Sequence, residues 1–322
     1  MDDLDPQLLR ALRAIADAGS ITGAATTLGY SQPAVSQLLQ RAEQRLGHAL
    51  LLRGARGVTL TEAGQVLADH ALHVQAALTA AQEDLDAVGG LARGRVRIAG
   101  FPSASSTLVP AVLASMAAAV PGVTTSYVEV EPPEALELVR RGEVDVALTF
   151  TYVGDDVATD AALVTRALGR DPLAVVRLAV VRPALVRSGG PGHVRPAGSV
   201  GAVAGSTAVD LASLRGARWI GGCPRCRGHL LASCASAGFV PDIVLETDNA
   251  AAVVGLVAAG LGVALLPRLA LATTVIPPGV SIDPVDDELA RRVEVVVARG
   301  AERVPSVRAA LEAVRAAEPL LA

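Results

Sequence analysis

Apolar residues near the start of the chain recur at helical spacing in two short segments that are separated by Gly29 and Tyr30. The second segment places its apolar positions on one side, and these are Val35, Leu38, Leu39, Ala42 and Leu46. Ser20 and Ser31 precede the two segments and predict N-caps, and Pro33 suits the first turn of a helix. The pattern predicts a helix-turn-helix, although an ordinary helical hairpin with a solvated polar face would share it.

The polar face of the second helix carries hydroxyl and amide groups, which suit the reading of base edges in a major groove. Two short strands then flank Arg-Gly-Ala-Arg-Gly, which predicts a β-hairpin wing with its arginines near the tip. Residues 31–60 contain four arginines and one glutamate in a chain of net charge −4, so basic charge is concentrated there. The residues predicted to contact double-stranded DNA are Thr22, Ser31, Gln32, Pro33, Ser36, Gln37, Gln40, Arg41, Arg53 and Arg56.

A long helix is predicted from an N-cap at Thr61 to about Val88. Its apolar and small positions alternate by four and three, and they are Leu67, Ala71, Val74, Leu78, Ala81, Leu85 and Val88. This is a heptad seam, and a seam needs a partner helix. The pattern favours a dimerising linker helix, and the alternative is one long helix packed on its own domain.

From Arg95 onward, strand and helix patterns alternate, which predicts parallel α/β sheets. We expect the chain to cross to a second lobe around Leu163–Leu173 and to return after Pro267. The segment from Val186 to Val209 lacks periodicity and is predicted to be a surface loop. The predicted domains are residues 1–60, a linker helix at 61–90 and a two-lobed domain at 91–322, with lobe 1 at about 91–163 and 268–322 and lobe 2 at about 164–267.

Polar residues follow several predicted strands of both lobes, where α/β sheets bind ligands. The helix start after the first strand of lobe 1 carries serines, which suits an anion or carboxylate, although one serine capping the helix would give the same pattern. Arg225 could pair with a ligand carboxylate or remain a solvated loop residue. The predicted ligand-binding residues are Ser103, Ser105, Thr149, Phe150, Cys223, Arg225, Thr247 and Asn249.

The segment Cys-Pro-Arg-Cys-Arg-Gly-His places Cys223, Cys226 and His229 close together. A C-x-x-C pair beside a histidine can bind zinc or cycle as a disulfide. No second C-x-x-C is present, and Cys234 fits a small apolar core position. Two α/β lobes joined by two crossovers make a cleft, and we expect Cys223 and Cys226 to line it with no metal bound; a redox or metal role is the alternative.

Composition narrows the function classes. No apolar run reaches membrane-spanning length, the acidic start is unlike a signal peptide, and three cysteines are too few for a disulfide scaffold. We therefore expect a cytoplasmic protein that is not bound to a membrane. No hydrolase, zinc-protease or P-loop motif is present, so we expect neither an enzyme nor a resident cofactor.

The helix-turn-helix segment, S-x-x-x-A-A-x-x-L-x-x-S-Q-P-A-V-S, and the later V-T-L-T-E-A-G resemble the amino-terminal domain of LysR-type transcriptional regulators. The match runs over about sixty positions without gaps. Leu52 and Ala42 depart from the family pattern, but both remain apolar. Near the other end, G-L-G-V-A-L-L-P resembles the effector domain of the same family.

The resemblance implies a winged helix-turn-helix domain rich in α-helix, a linker helix, and a two-lobed α/β effector domain of the periplasmic-binding-protein type. It also implies a small-molecule effector contacted by Ser103, a homodimer or homotetramer, and RNA polymerase as a partner if the protein activates. Two alternatives remain open. One is a regulator that responds to redox state or metal through Cys223, Cys226 and His229, and the other is a transporter's solute-binding protein.

Overall fold

The computed structural model describes residues 4–54, 57–88, 93–152, 154–155, 160–179 and 208–321. The chain forms two compact units, and the backbone crosses from one unit to the other at two main places. The first unit comprises Met1–Thr151, Asp155–Gly169 and Arg292–Ala322, and the second comprises Tyr152–Gly154 and Arg170–Arg291.

Three helices begin the first unit, and they are α1 (Pro6–Ala18), α2 (Ile21–Leu28) and α3 (Gln32–Leu46). The predicted N-caps are confirmed, because the hydroxyls of Ser20 and Ser31 accept backbone N–H groups three residues further on, at 3.0 and 3.4 Å. Gly29 ends α2 at φ 71°, a left-handed conformation that favours glycine. The three helices share one apolar core, whose members include Leu8, Leu12, Ile15, Ala24, Val35 and Leu39.

The predicted wing is present as the antiparallel pair β1 (Leu51–Gly54) and β2 (Gly57–Leu60). Glu43 of α3 holds its start, because one carboxylate oxygen accepts the N–H of Leu50 at 2.8 Å. The next helix, α4 (Glu62–Val88), begins after its predicted cap, Thr61, whose hydroxyl accepts the N–H of Gly64 at 3.0 Å.

The apolar positions of α4 change from buried to exposed along the helix. Ala71 is buried, whereas Leu78, Leu85 and Val88 are 51%, 64% and 87% exposed. The amino-terminal half of the predicted seam therefore packs within the first unit, against α1. The carboxyl-terminal half lies on the surface of the single chain.

The remaining elements alternate between strand and helix. The first unit continues with β3 (Gly94–Gly100), α5 (Pro102–Ser105), α6 (Leu108–Ala119), β4 (Val123–Glu129), α7 (Pro132–Arg140), β5 (Val146–Thr151) and β6 (Leu163–Asp171). The second unit contains β7 (Leu173–Leu178), β8 (Arg218–Gly221), α8 (Pro224–Ser236), β9 (Asp242–Glu246), α9 (Ala250–Ala258), β10 (Val263–Pro267), α10 (Arg268–Leu271) and β11 (Val280–Pro284). The chain then returns to the first unit with β12 (Arg291–Ala298) and α11 (Pro305–Ala316).

Within the described residues, each unit contains a five-stranded sheet. The order is β4-β3-β5-β12-β6 in the first and β11-β7-β10-β8-β9 in the second. Both sheets are mixed rather than parallel as predicted, because β12 runs antiparallel to β5 and β7 runs antiparallel to β10. These strands follow a crossover from the other unit rather than a helix, so the βαβ rule does not set their direction.

The two crossovers are only partly as predicted. The first lies between Gly169 and Arg170, inside the predicted segment. The return after Pro267 is wrong, because β11 pairs with β7 in the second sheet and the chain leaves that unit only after Arg291. The predicted loop at Val186–Val209 lies almost wholly outside the described residues.

The helix predicted after Phe101 is broken into α5 and α6. Thr107, between them, has φ −127° and ψ −69°, outside the helical region. Its hydroxyl donates to the carbonyl oxygen of Ser103 at 2.7 Å, which stabilises the break. Among the helices that the described residues form, none is both long and apolar enough to cross a membrane.

Candidate functional sites

The polar face of α3 lies at the surface of the first unit. Ser36 is half-buried, and the exposed residues of this face are Ser31, Gln32, Pro33, Gln37, Gln40 and Arg41. The amide of Gln32 donates to the Ser36 hydroxyl at 2.8 Å, so two predicted DNA contacts are linked one turn apart. Val35 and Leu39 on the opposite side are 1% exposed, and their burial fixes which face points outward.

Two further parts of the predicted DNA surface accompany α3. Thr22 is exposed in the first turn of α2, directly after the N-cap Ser20. Arg53 lies on β1, paired in register with Val58. Arg56 and the side chain of Arg53 lie outside the described residues, so their contacts with phosphate stay predictions.

In the first unit, Ser103 and Ser105 lie on α5, directly after the carboxyl end of β3. The Ser105 hydroxyl is 2.6 Å from the hydroxyl of Tyr127, which donates to the carbonyl oxygen of Gly100 at 3.0 Å. Burial raises the pKa of Tyr127, so this hydroxyl remains a donor at neutral pH. Tyr127 therefore positions the Ser105 hydroxyl, and the sequence did not single Tyr127 out.

Thr149 and Phe150 lie within β5, next to its last residue, and both are buried. The Phe150 ring meets the Phe101 ring edge to face, with centroids 5.0 Å apart. Phe150 is thus part of the core beneath α5, at the same edge of the sheet as Ser103.

In the second unit, all four predicted residues lie at the carboxyl ends of β8 and β9, which are parallel neighbours. Cys223 and Asn249 are the N-caps of α8 and α9, and each accepts an N–H three residues on, at 3.4 and 3.0 Å. The backbone N–H of Thr247 donates to the carbonyl oxygen of Gly221 at 2.9 Å, and this bond joins the ends of β9 and β8. Arg225 is half-buried in the first turn of α8.

The cysteine segment forms a small cluster inside the second unit. The sulfurs of Cys223 and Cys226 lie 3.1 Å apart, and the Tyr152 hydroxyl donates to Cys226 at 3.7 Å. The ring of His229 stacks on Tyr152 with centroids 3.8 Å apart and planes inclined by 5°. Tyr152 was missed from the sequence, because an isolated tyrosine after a strand carries no motif.

Among the described residues, no group of three or more His, Cys, Asp or Glu side chains is arranged to hold a metal ion. His229 instead places Nε2 3.2 Å from the carbonyl oxygen of Leu289. Cys234, further along α8, is buried, and burial raises the pKa of its thiol to about 11, which agrees with its predicted core position.

Comparison with known proteins identifies the family. Residues 6–65 match the model described as bacterial regulatory helix-turn-helix protein, lysR family, and residues 89–319 match the LysR substrate binding domain. A probable HTH-type transcriptional regulator, LrrA of Synechococcus elongatus, is 28% identical over 311 residues, which is 97% of this chain and 96% of the relative.

Solved structures share the fold over nearly the whole chain. Full-length LysG of Corynebacterium glutamicum, solved with bound effector Arg, is 22% identical with a TM-score of 0.60, and 98% of each chain is covered. Full-length CbnR complexed with target DNA is 21% identical with a TM-score of 0.51, covering 98% of this chain and 100% of that one. The resemblance noted in the sequence is thereby confirmed, and the chain belongs to the LysR-type transcriptional regulators, with a DNA-binding helix-turn-helix domain and an effector-binding domain.

Proposed function

We propose that this regulator reads its operator with the exposed face of α3, while the wing binds backbone phosphates. The observation that carries the proposal is the outward orientation of Gln32, Gln37, Gln40 and Arg41 on a helix whose other face is buried. Amide side chains reach adenine edges, and arginine reaches guanine edges or phosphate. The arginines Arg53 and Arg56 of the wing supply charge without sequence preference.

The effector site is proposed at the carboxyl ends of the strands in each unit. Ser103, Ser105 and Thr149 gather at that edge of the first sheet, with Phe150 in the core beneath them, and Cys223, Arg225, Thr247 and Asn249 gather at that edge of the second. Hydroxyls, an amide and a guanidinium suit a small polar effector such as a carboxylate. LysG, solved with bound effector Arg, supports a small-molecule effector for this fold.

The protein is proposed to act as a homodimer or homotetramer without enzymatic activity. The exposed apolar residues Leu78, Leu85 and Val88 of α4 support self-association, because they form the unused half of a heptad seam. RNA polymerase is a further partner if the regulator activates transcription.

The test of the DNA-reading proposal compares two glutamine substitutions. Gln32→Ala removes a proposed base contact, and we expect specific operator binding to weaken by about 1–3 kcal/mol while binding to random DNA is unchanged. Gln82→Ala is the matched control, because Gln82 on α4 also donates to a side chain four residues on, Asp86, at 2.9 Å. Both affinities are measured by fluorescence anisotropy at fixed salt.

The proposal fails if Gln32→Ala binds the operator as tightly as the parent does. A loss of equal size on operator and random DNA would also contradict it, because a phosphate contact or misfolding would weaken both.

A further inference from the structure

We propose that Cys223 and Cys226 form a reversible dithiol–disulfide site, which a peroxide oxidises. This goes beyond the proposed function, because it concerns thiol chemistry that the regulator can show in the absence of DNA. The sequence left such a role as an alternative to simple lining of the effector site. The sequence could not show how far apart the two sulfurs lie.

The geometry suits bond formation. The two sulfurs are 3.1 Å apart, so closing to a disulfide bond length of about 2.05 Å requires movement of only about 1 Å. Cys223 is the N-cap of α8, and Cys226 lies in its first turn. A bond between them would tie the loop after β8 to the start of α8 without unwinding the helix.

The position also favours the reactive thiolate. The N–H of Cys226 points to the sulfur of Cys223 at 3.4 Å, and the positive end of the α8 dipole lies at this turn. Cys234 lies on the same helix but two turns further on, where it is 0% exposed and remote from that end. The third thiol therefore provides an internal comparison within one chain.

The two cysteines are differently exposed, which assigns their order of reaction. Cys223 is buried at 9% exposure, whereas Cys226 is half-buried and meets the Tyr152 hydroxyl. The thiolate of Cys226 attacks one oxygen of the peroxide, and the O–O bond breaks to give a sulfenic acid and hydroxide. The thiolate of Cys223 then attacks that sulfur, the S–S bond forms, and a second hydroxide leaves.

Protons and electrons balance over these two steps. The two thiols lose two protons and two electrons, and the peroxide takes both electrons and becomes two molecules of water once the hydroxides are protonated. A dithiol reductant reverses the reaction by thiol–disulfide exchange.

The experiment counts thiols on the purified full-length protein before and after hydrogen peroxide. The parent has three thiols, and we expect it to retain one, Cys234, and to lose the mass of two hydrogens, with full recovery in dithiothreitol. We expect the folded parent to react at least about tenfold faster than the same chain in guanidinium, because the helix terminus activates the thiolate.

Three variants identify which cysteine sulfurs react. Cys226→Ser should retain both remaining thiols, and Cys223→Ser should stop at a sulfenic acid that dimedone traps. Cys234→Ser is the control and should form the disulfide at the parental rate. The fluorescence of Trp219, which is 0% exposed, checks that each variant is folded.

Retention of all three thiols by the folded parent would overturn the proposal. So would a bond to Cys234, a disulfide between two chains on a non-reducing gel, or equal rates in the folded and unfolded protein. None of these results depends on operator binding, so failure here is distinguishable from failure of the DNA-reading proposal.

Discussion

A buried ion pair joins the last residue of β6 to the first residue of β12, and both residues belong to the second unit, next to the places where the chain crosses between the units. Asp171 and Arg291 are each 2% exposed, and Asp171 Oδ2 accepts hydrogen bonds from Arg291 Nε and Nη2 at 2.8 and 2.7 Å. The other carboxylate oxygen, Oδ1, accepts the N–H of Leu269 at 2.9 Å, at the start of α10. One carboxylate therefore satisfies three donors.

Asp171→Ala should lower the free energy of unfolding of the second unit by about 3–5 kcal/mol, because a buried guanidinium loses its carboxylate. This is a large fraction of the roughly 5–15 kcal/mol that stabilises a typical domain. Replacing both partners, Asp171→Leu with Arg291→Leu, should recover most of the loss, since no uncompensated charge then stays buried.

Urea denaturation followed by tryptophan fluorescence measures this effect directly. The chain has one tryptophan, Trp219, which lies fully buried on β8 and reports on the second unit. Glu246→Ala is the matched control, because Glu246 pairs with Arg227 at 2.8 Å while both side chains are about half exposed. We expect that control to cost no more than about 1 kcal/mol. Equal costs for Asp171→Ala and Glu246→Ala would refute the reasoning.

Two further predictions concern α4 and packing at glycine. Leu78→Arg should weaken self-association, because it places a charge in the exposed seam of α4. Ala87→Arg is the control, since Ala87 is exposed on the same helix but lies off the seam. Light scattering measures the masses, and a parental mass for Leu78→Arg would contradict the seam. Gly64→Ala should destabilise the first unit by about 1–3 kcal/mol in thermal unfolding, because the added Cβ would collide with the carbonyl oxygen of Leu50. Gly228→Ala is the control, since its Cβ meets open space in α8, and it should be neutral or stabilising. Equal effects at the two glycines would count against the packing argument.

Much of the DNA-binding part could be predicted from the sequence because its determinants are local. Ser20, Ser31 and Thr61 each cap the helix that follows within three residues. The apolar periodicity of α3 also specifies its buried face, and its exposed face follows by exclusion. The candidate DNA contacts therefore needed no tertiary information.

The effector-binding part was only partly predictable. The alternation of strands and helices gave the α/β class and placed Ser103 and Thr247 after strands. It did not show that Phe150 packs in the core or that Tyr127 supports Ser105 from 22 residues away. Such contacts join segments that are distant in sequence, so they leave no periodic signal.

The sequence by itself determined the helix-turn-helix, the wing, the long helix and the family, since caps, turns and short-range patterns act within a few residues. Only the tertiary structure decided that β11 completes the second sheet, that Asp171 pairs with Arg291 over 120 positions, and that Tyr152 covers Cys226. The physical reason is that hydrogen bonds between strands and between buried side chains are satisfied by whichever groups the packed chain brings together. Their partners are chosen by burial in three dimensions and not by spacing along the sequence.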